Sequence, residues 1–356
     1  MIQSSKKNID HKNSKVDTND DLKVDKAEKI ELEQENELRP RDLDAFVGQT
    51  RIVENLRIMM SAAQTRGESM GHILLHGSPG LGKTTLARII ATEMKSNLRS
   101  IAGPSIEKAA DLASILTNLS EKDVLFIDEI HRLRSNIEEI LYSAMEDGSI
   151  DITIGKGPSA RIMKIDLAEF TLVGATTKVA MLSKPLRDRF AGVFKLDFYS
   201  EEELKEIAKK SCAKLDQKID DDAVDQIASR SRGTPRIVNR LVRWLRDFAS
   251  SEKSDEITKN IAKSGLDQLG VDPIGLDAVD KEILNSLGHK FLGKPVGLKT
   301  LAASIGEDES TVEDVHEPFL IRQGFINKTP KGRIITQKGA EYIQITLNTQ
   351  PKLALD

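Results

Sequence analysis

Gly77-Ser78-Pro79-Gly80-Leu81-Gly82-Lys83-Thr84-Thr85 decides the fold. It is entered from the apolar run Ile73-Leu74-Leu75-His76 and leads into an amphipathic stretch, Thr84 to Met94. The residues match GxxxxGK[ST], and a strand before with a helix after is the context that motif requires. Glycines let the backbone curl until its N–H groups point inward at phosphate oxygens. The helix N-terminus adds its dipole, Lys83 a full charge, and Thr84 a hydroxyl suited to Mg2+. A purely structural Gly-rich turn needs none of these additions. The stretch predicts an α/β nucleotide-binding domain.

Downstream, Val124-Leu125-Phe126-Ile127-Asp128-Glu129 is an apolar run ending in two adjacent carboxylates. Buried strands do not end in paired acids for packing reasons. Asp128 is suited to a magnesium shell and Glu129 to polarising an attacking water, so the pair points to hydrolysis. A helix N-cap is the competing use of such a pair. Further short apolar runs, Phe170 to Ala175 and Val193 to Phe198, alternate with 3.6-periodic segments, which implies βα units and a mostly parallel sheet. Thr176 and Thr177 end one run, placed to orient a water. Two arginines are available to offset phosphate charge: Arg189 within Leu186-Arg187-Asp188-Arg189-Phe190, and Arg236 directly after Pro235. An isolated arginine is more often a surface residue. Ile150 to Ile165 alternates around Gly155-Lys156-Gly157-Pro158, the signature of a β-hairpin.

After Tyr199 the strand signals stop. Glu201–Leu215, Asp221–Arg230, Pro235–Ser250 and Glu256–Leu269 read as helices of a small domain, with Thr234 as a cap and Pro235 at the first helical position. From Pro273, three helices (Ala278–Leu287, Leu298–Ile305, Ser310–Gln323) precede two short strands around Pro330-Lys331-Gly332, a winged helix-turn-helix pattern. The domain plan is therefore a charged tail over 1–37, an α/β domain over 38–200 with the hairpin at 150–165, a helical lid over 201–272 and a winged helix over 273–356.

The chain has 356 residues, too many for one compact domain, and 39% are hydrophobic, so sizeable cores are possible. The single cysteine, Cys212, excludes a disulfide framework and a CxxC zinc or redox site. The six histidines show no metal spacing, and His131, just after the acid pair, reads as structural. No apolar run is long enough to span a membrane and the N-terminus has no signal-peptide core, so a cytoplasmic location is expected. The net charge is −4, which argues against a uniformly basic nucleic-acid coat. Residues 1–37 carry −3 of it with no aromatic, Gly or Pro, and read as a disordered solubilising tail. Residues 318–340 contain Arg322, Lys328, Lys331, Arg333 and Lys338 without a carboxylate, directly after six acids within 307–317. That segregation suggests a phosphate-facing wing beside a solvent-facing helix, contacting DNA through its backbone. A solvated basic hairpin is the plainer alternative.

GSPGLGKTT, VLFIDEIHRL, GATT, PLRDRF and RGTPRIVNRLVR, in this order, resemble the RuvB family of AAA+ ATPases, motors of bacterial Holliday-junction branch migration. GFINKTPKGR and LRPRDLDAFVGQ add to the likeness, which spans about residues 38–340. The resemblance implies an ATP- and Mg2+-dependent translocase of recombination, repair and the SOS response to DNA damage. It makes Lys83 and Thr84 the P-loop lysine and metal ligand, with Asp128 and Glu129 as metal-shell acid and catalytic glutamate. Thr176 or Thr177 becomes sensor 1, Arg189 an arginine finger acting on the neighbouring subunit, and Arg236 sensor 2. Leu38, Arg39, Gly80, Gly82, Thr85, Tyr199 and Glu146-Asp147-Gly148 match further nucleotide-contacting positions. A homohexameric ring, four-way junction and duplex DNA, a RuvA-like junction-binding partner and a RuvC-like resolvase are implied likewise. Lys328, Lys331 and Arg333 become DNA contacts, and Ile152, Ile154 and Met163 contacts of the RuvA-like partner. Ser78 stands where a second proline is common, and Gly148 where an aromatic is. An AAA+ protein unfoldase would want an aromatic pore loop instead of a basic wing. A clamp-loader-like switch would bind DNA without moving it.

Overall fold

The computed structural model describes residues 37–154 and 161–346. Contact clustering divides the chain into Met1–Arg39 and Pro40–Asp356. In the first unit only 37–39 are described, with Glu37 and Leu38 helical; the tail expected over 1–37 otherwise lies outside the described residues.

The second unit opens with helix α1 (Thr50–Arg66), strand β1 (Ile73–His76) and helix α2 (Lys83–Glu93). Then come β2 (Leu98–Ala102), α3 (Ala109–Thr117), β3 (Val124–Asp128) and α4 (Ser135–Asp147). A hairpin of β4 (Ser149–Ile154) and β5 (Arg161–Asp166) precedes β6 (Thr171–Thr176), α5 (Lys184–Asp188) and β7 (Gly192–Lys195). Five strands form one sheet in the order β2-β3-β6-β1-β7, and every pairing in it is parallel. Burial on both faces explains the unbroken apolar runs of β1, β3 and β6. β2 is an edge strand with no fully buried residue, which is why Leu98-Arg99-Ser100-Ile101-Ala102 gives no strand signal in the sequence. One face of the sheet packs on α1 and α2, in a core continuous with the lid helices; the other packs on α3, α4 and the hairpin base.

The lid comprises α6 (Glu201–Lys214), α7 (Asp221–Arg230), α8 (Pro235–Ser251) and α9 (Lys259–Gln268). Ser200 and Glu203 close a capping box on α6: the Ser200 N–H donates to Glu203 Oε2 at 2.7 Å and the Glu203 N–H to Ser200 Oγ at 3.3 Å. Strands do not stop at Tyr199, because β8 (Lys218–Ile219) and β9 (Glu256–Ile257) make a two-residue parallel pair, too short for periodicity to reveal. Thr234 occupies the N-cap position of α8 without a side-chain capping bond; its hydroxyl donates to the Ser231 carbonyl.

The last region has its own core, centred on Leu284, Leu301, Leu320 and Phe325. Helices α10 (Ala278–Asn285) and α11 (Leu298–Ile305) and a helical stretch over 309–322 precede strands β10 (Ile326–Thr329) and β11 (Gly332–Ile335). Val296 adds a third rung beside Arg333. A short helix, Gln337–Tyr342, follows the wing, beyond the elements expected from sequence. No helix among the described residues is long and apolar enough to cross a membrane.

Candidate nucleotide and DNA sites

Parallel strands deliver their C-terminal ends to one edge, and β1, β3 and β6 bring three motifs there. β1 runs into the glycine loop, β3 ends in Asp128-Glu129, and β6, lying between them, ends in Thr176-Thr177. In the loop Gly82 has φ 106°, a backbone that L side chains resist, and a Cβ there would press on the Phe46 ring at 3.3 Å. Lys83 is buried, and its ammonium donates to the carbonyls of Gly77 at 2.8 Å and Ser78 at 3.0 Å. Two of its three N–H bonds thus hold the loop, and one remains for a phosphate oxygen. Burial pushes the Lys83 ammonium below its ordinary range, against the pull of Glu129 and Asp128. Thr84 is half-buried and Thr85 buried in the first turn of α2.

Asp128 is raised above the usual carboxylate range by burial, opposed by the Glu129 N–H, which it accepts at 3.0 Å. Glu129 sits at φ 48°, in the left-handed region, at the turn out of β3. Such strain at a non-glycine residue persists where surroundings over-determine it. Here Thr177 Oγ1 donates to Glu129 Oε2 at 3.2 Å, and His131 Nδ1 lies 3.1 Å from the same oxygen. Thr176 is fully buried behind them, 2.9 Å from His131 Nδ1, and accepts the Lys178 N–H at 3.0 Å. Of the two threonines, Thr177 is therefore the one that touches Glu129. His131 joins this network and is more than a packing residue, which its chain position alone does not disclose.

Tyr199 is buried, with its hydroxyl donating to the Leu81 carbonyl at 3.1 Å, so it supports the loop from the lid side. Arg236 lies over the loop in the first turn of α8: its N–H donates to the Gly80 carbonyl at 3.4 Å, and its charge is felt by Lys83 and Asp128. Arg189 is placed elsewhere. It donates to Tyr142 Oη at 2.6 Å, stacks over that ring and pairs with Glu146. The fold thus brings Arg189 and Glu146 together, beside the α4 C-cap, where Gly148 has φ 59°. That backbone conformation accounts for a glycine where an aromatic is common. Leu38 and Arg39 belong to the first unit, and Asp147 closes α4.

The wing differs from its expected form. Arg333 is only 7% exposed and pairs through both Nε and Nη2 with Glu317, itself buried. It anchors β11 to the helix over 309–322 and is not left for a phosphate, so the reading of Arg333 as a DNA contact is corrected. Lys328 donates to Glu313 at 2.9 Å and remains half exposed; Lys331 is exposed at the wing turn. Arg322 stacks on Phe198 at 4.0 Å and donates to the Arg232 carbonyl at 2.6 Å. Segregated in sequence, Lys328 and Arg333 nevertheless meet Glu313 and Glu317 in space, while Arg322 and Lys338 bond to backbone carbonyls. Asp277, Asp280 and His316 have the donor types of a metal site, but Arg232 already supplies the cation, 2.6 Å from Asp277 and 2.5 Å from Asp280.

In the hairpin, Ile150, Ile152 and Ile154 pair with Ile165, Met163 and Arg161. Ile150 is buried, and Ile152 is half-buried, packed against the core below the sheet. Met163 is 46% exposed, and Ile162, overlooked in the sequence, is 75% exposed. Residues 155–160 and the Ile154 side chain lie outside the described parts.

Sheet order, loop and acid pair define an AAA+ P-loop ATPase carrying a helical lid and a winged helix. Residues 38–196 match the model of the Holliday junction DNA helicase RuvB P-loop domain, 199–272 the RuvB AAA lid domain and 273–344 the RuvB C-terminal winged helix domain. The chain belongs to the RuvB family. Among solved structures it is similar to the Thermotoga maritima RuvB Holliday junction branch migration motor: 45% identity over 87% of this chain and 99% of that one, TM-score 0.80. Two single-residue variants of the Thermotoga protein match at 46% identity. One covers 86% of this chain and 98% of its own, TM-score 0.80; the other 87% and 99%, TM-score 0.81.

Proposed function

We propose that this chain is the ATP-hydrolysing motor of Holliday-junction branch migration, acting as a homohexameric ring with a RuvA-like junction-binding partner. Beyond family membership, the observation that supports it best is the convergence of Lys83, Asp128, Glu129 and Thr177 on one sheet edge. The residues fit Mg2+ and a nucleoside triphosphate: a glycine loop with positive φ, a lysine with a donor to spare, and a half-buried carboxylate beside it. Thr84 and Asp128 would hold the metal, which when bound offsets phosphate charge.

Loop N–H groups and Lys83 bind the phosphates and fix them against the helix dipole. Glu129 takes the proton of the attacking water, held in place by Thr177. Arg236 adds a cation from the lid, so lid position and phosphate occupancy are linked. Arg189, engaged with Glu146 and Tyr142 in its own subunit, serves the nucleotide of a neighbour. Lys331, helped by Lys328, contacts the DNA backbone, while Met163 and Ile162 offer the apolar surface for the RuvA-like partner; a RuvC-like resolvase acts downstream.

The test is ATPase rate and strand movement on four-way junction DNA, with and without RuvA. Glu129→Gln is expected to keep ATP binding and lose about 10²-fold or more in kcat. Wild-type hydrolysis by that variant sinks the assignment of Glu129, and DNA binding without junction movement favours a switch over a motor.

A further inference from the structure

We infer that His131 is a positioning residue for hydrolysis, fixing the carboxylate of Glu129 through its Nδ1–H; the inference rests on the reading of Glu129 given above. His131 is held in the short turn over 130–132, immediately after the acid pair, and its side chain is nearly buried. Its Nδ1 faces two oxygens, Glu129 Oε2 at 3.1 Å and Thr176 Oγ1 at 2.9 Å. A carboxylate only accepts hydrogen bonds, so a lone pair on Nδ1 would oppose the lone pairs of Oε2. An Nδ1–H is compatible with both neighbours, shared between Glu129 Oε2 and Thr176 Oγ1, which accepts the Lys178 N–H as well.

The consequence is geometric. Thr177, just past β6, donates to Oε2 of Glu129 at 3.2 Å, and His131 Nδ1, in the turn after β3, lies 3.1 Å from the same oxygen. One oxygen tethered from two sides fixes the plane of the carboxylate and leaves Oε1 to take the water proton. With a single donor the carboxylate can swing about that bond. Catalytic positions lose rate steeply for displacements of about 1 Å. Thr176 holds the imidazole in turn, which gives both threonines of the pair distinct tasks.

The experiment measures ATP hydrolysis by the full chain with junction DNA and RuvA, alongside nucleotide affinity. His131→Ala is expected to lower kcat about tenfold or more, with KM and nucleotide Kd within about twofold. His131→Asn places an amide N–H near the Nδ1 position and is expected to restore most of the rate; His131→Phe fills the volume without a donor and is not. In a Glu129→Gln background, His131→Ala should add little further loss. Unchanged kcat in His131→Ala, or Asn performing no better than Phe, overturns the inference. If Glu129→Gln is itself fully active, the reading of Glu129 falls instead, so the two failures are distinguishable. Should His131→Ala fold poorly, the Asn–Phe contrast still decides the matter.

Discussion

His72 stands one residue before β1, and its Nδ1 accepts the Leu172 N–H at 2.9 Å. Protonation would destroy that acceptor inside a buried site, and burial pushes the imidazole down to about 4. The unfolded chain protonates His72 near 6.5 while the folded state holds it neutral. Stability from this group is therefore complete above about pH 6.5 and is lost as the pH falls toward about 4. The full effect is on the order of 3 kcal/mol. Urea melts at pH 7 and pH 4.5 should show it, and His72→Gln, which keeps an acceptor without titrating, should flatten that part of the acid dependence. At the same scale, Lys83 and the acid pair were legible because a motif states them locally. The bond from Thr177 to Glu129 was half legible: Thr176 and Thr177 were both candidates, and nothing in the residue order says which hydroxyl faces the carboxylate. The register of β6 resolves it: Thr176, paired with His76 of β1, is fully buried, and Thr177 meets the carboxylate.

Elements show where charge in sequence misleads. Helix 309–322 and strand β11 read separately as acidic and basic surfaces, yet their contact buries Arg333 against Glu317. Removing one partner of a buried pair leaves the other charge unpaired, at a cost of about 3–5 kcal/mol. Arg333→Ala should thus lower the melting temperature, whereas Lys331→Glu, on the exposed wing turn, should leave it within a degree or two. Lys331→Glu should instead weaken duplex binding and reduce the salt slope by about 1 or more. An unchanged slope would remove Lys331 from the interface. The hairpin divides similarly. Ile150→Ala should destabilise by about 2–4 kcal/mol through its core contact, while Met163→Asp should spare stability and weaken recruitment of RuvA, measurable by titration calorimetry. The alternation announced a hairpin, but its docking on the core decides which isoleucines stay outside.

For the whole molecule, the segment Arg230–Thr234 is the joint between lid and winged helix. The buried Arg232 guanidinium meets Asp277 and Asp280 and donates to the Gly275 carbonyl at 2.8 Å, while Arg322 returns to the Arg232 carbonyl. Three residues further on, Pro235 starts the helix that carries Arg236, so the winged helix is fastened beside the turn of the lid that meets the glycine loop. A second tie runs from Lys178, next to Thr177, to Asp314 at 3.1 Å and Glu313 at 3.6 Å. Arg232→Ala should loosen the first joint, seen as faster proteolytic cleavage between lid and winged helix with ATP binding retained. The ring itself is tested by mixing Arg189→Ala with Glu129→Gln subunits. If the finger acts on a neighbour, some mixed interfaces regain an intact site and activity exceeds that of either variant alone; no rescue at any ratio removes Arg189 from that role.

Taken by itself the sequence determined the nucleotide loop, the acid pair, the alternation of strands and helices and the order of three domains. Each is written in neighbouring residues, where spacing and periodicity carry the chemistry. Tertiary structure alone decided which threonine bonds Glu129, that Arg333 and Arg322 are structural ties, and that Ile150 is buried while Ile162 is exposed. The threonine and arginine outcomes depend on residues 16 to 90 positions apart meeting across strands and domains. Charge and polarity are properties of a residue, but pairing and burial belong to whatever the fold sets opposite it.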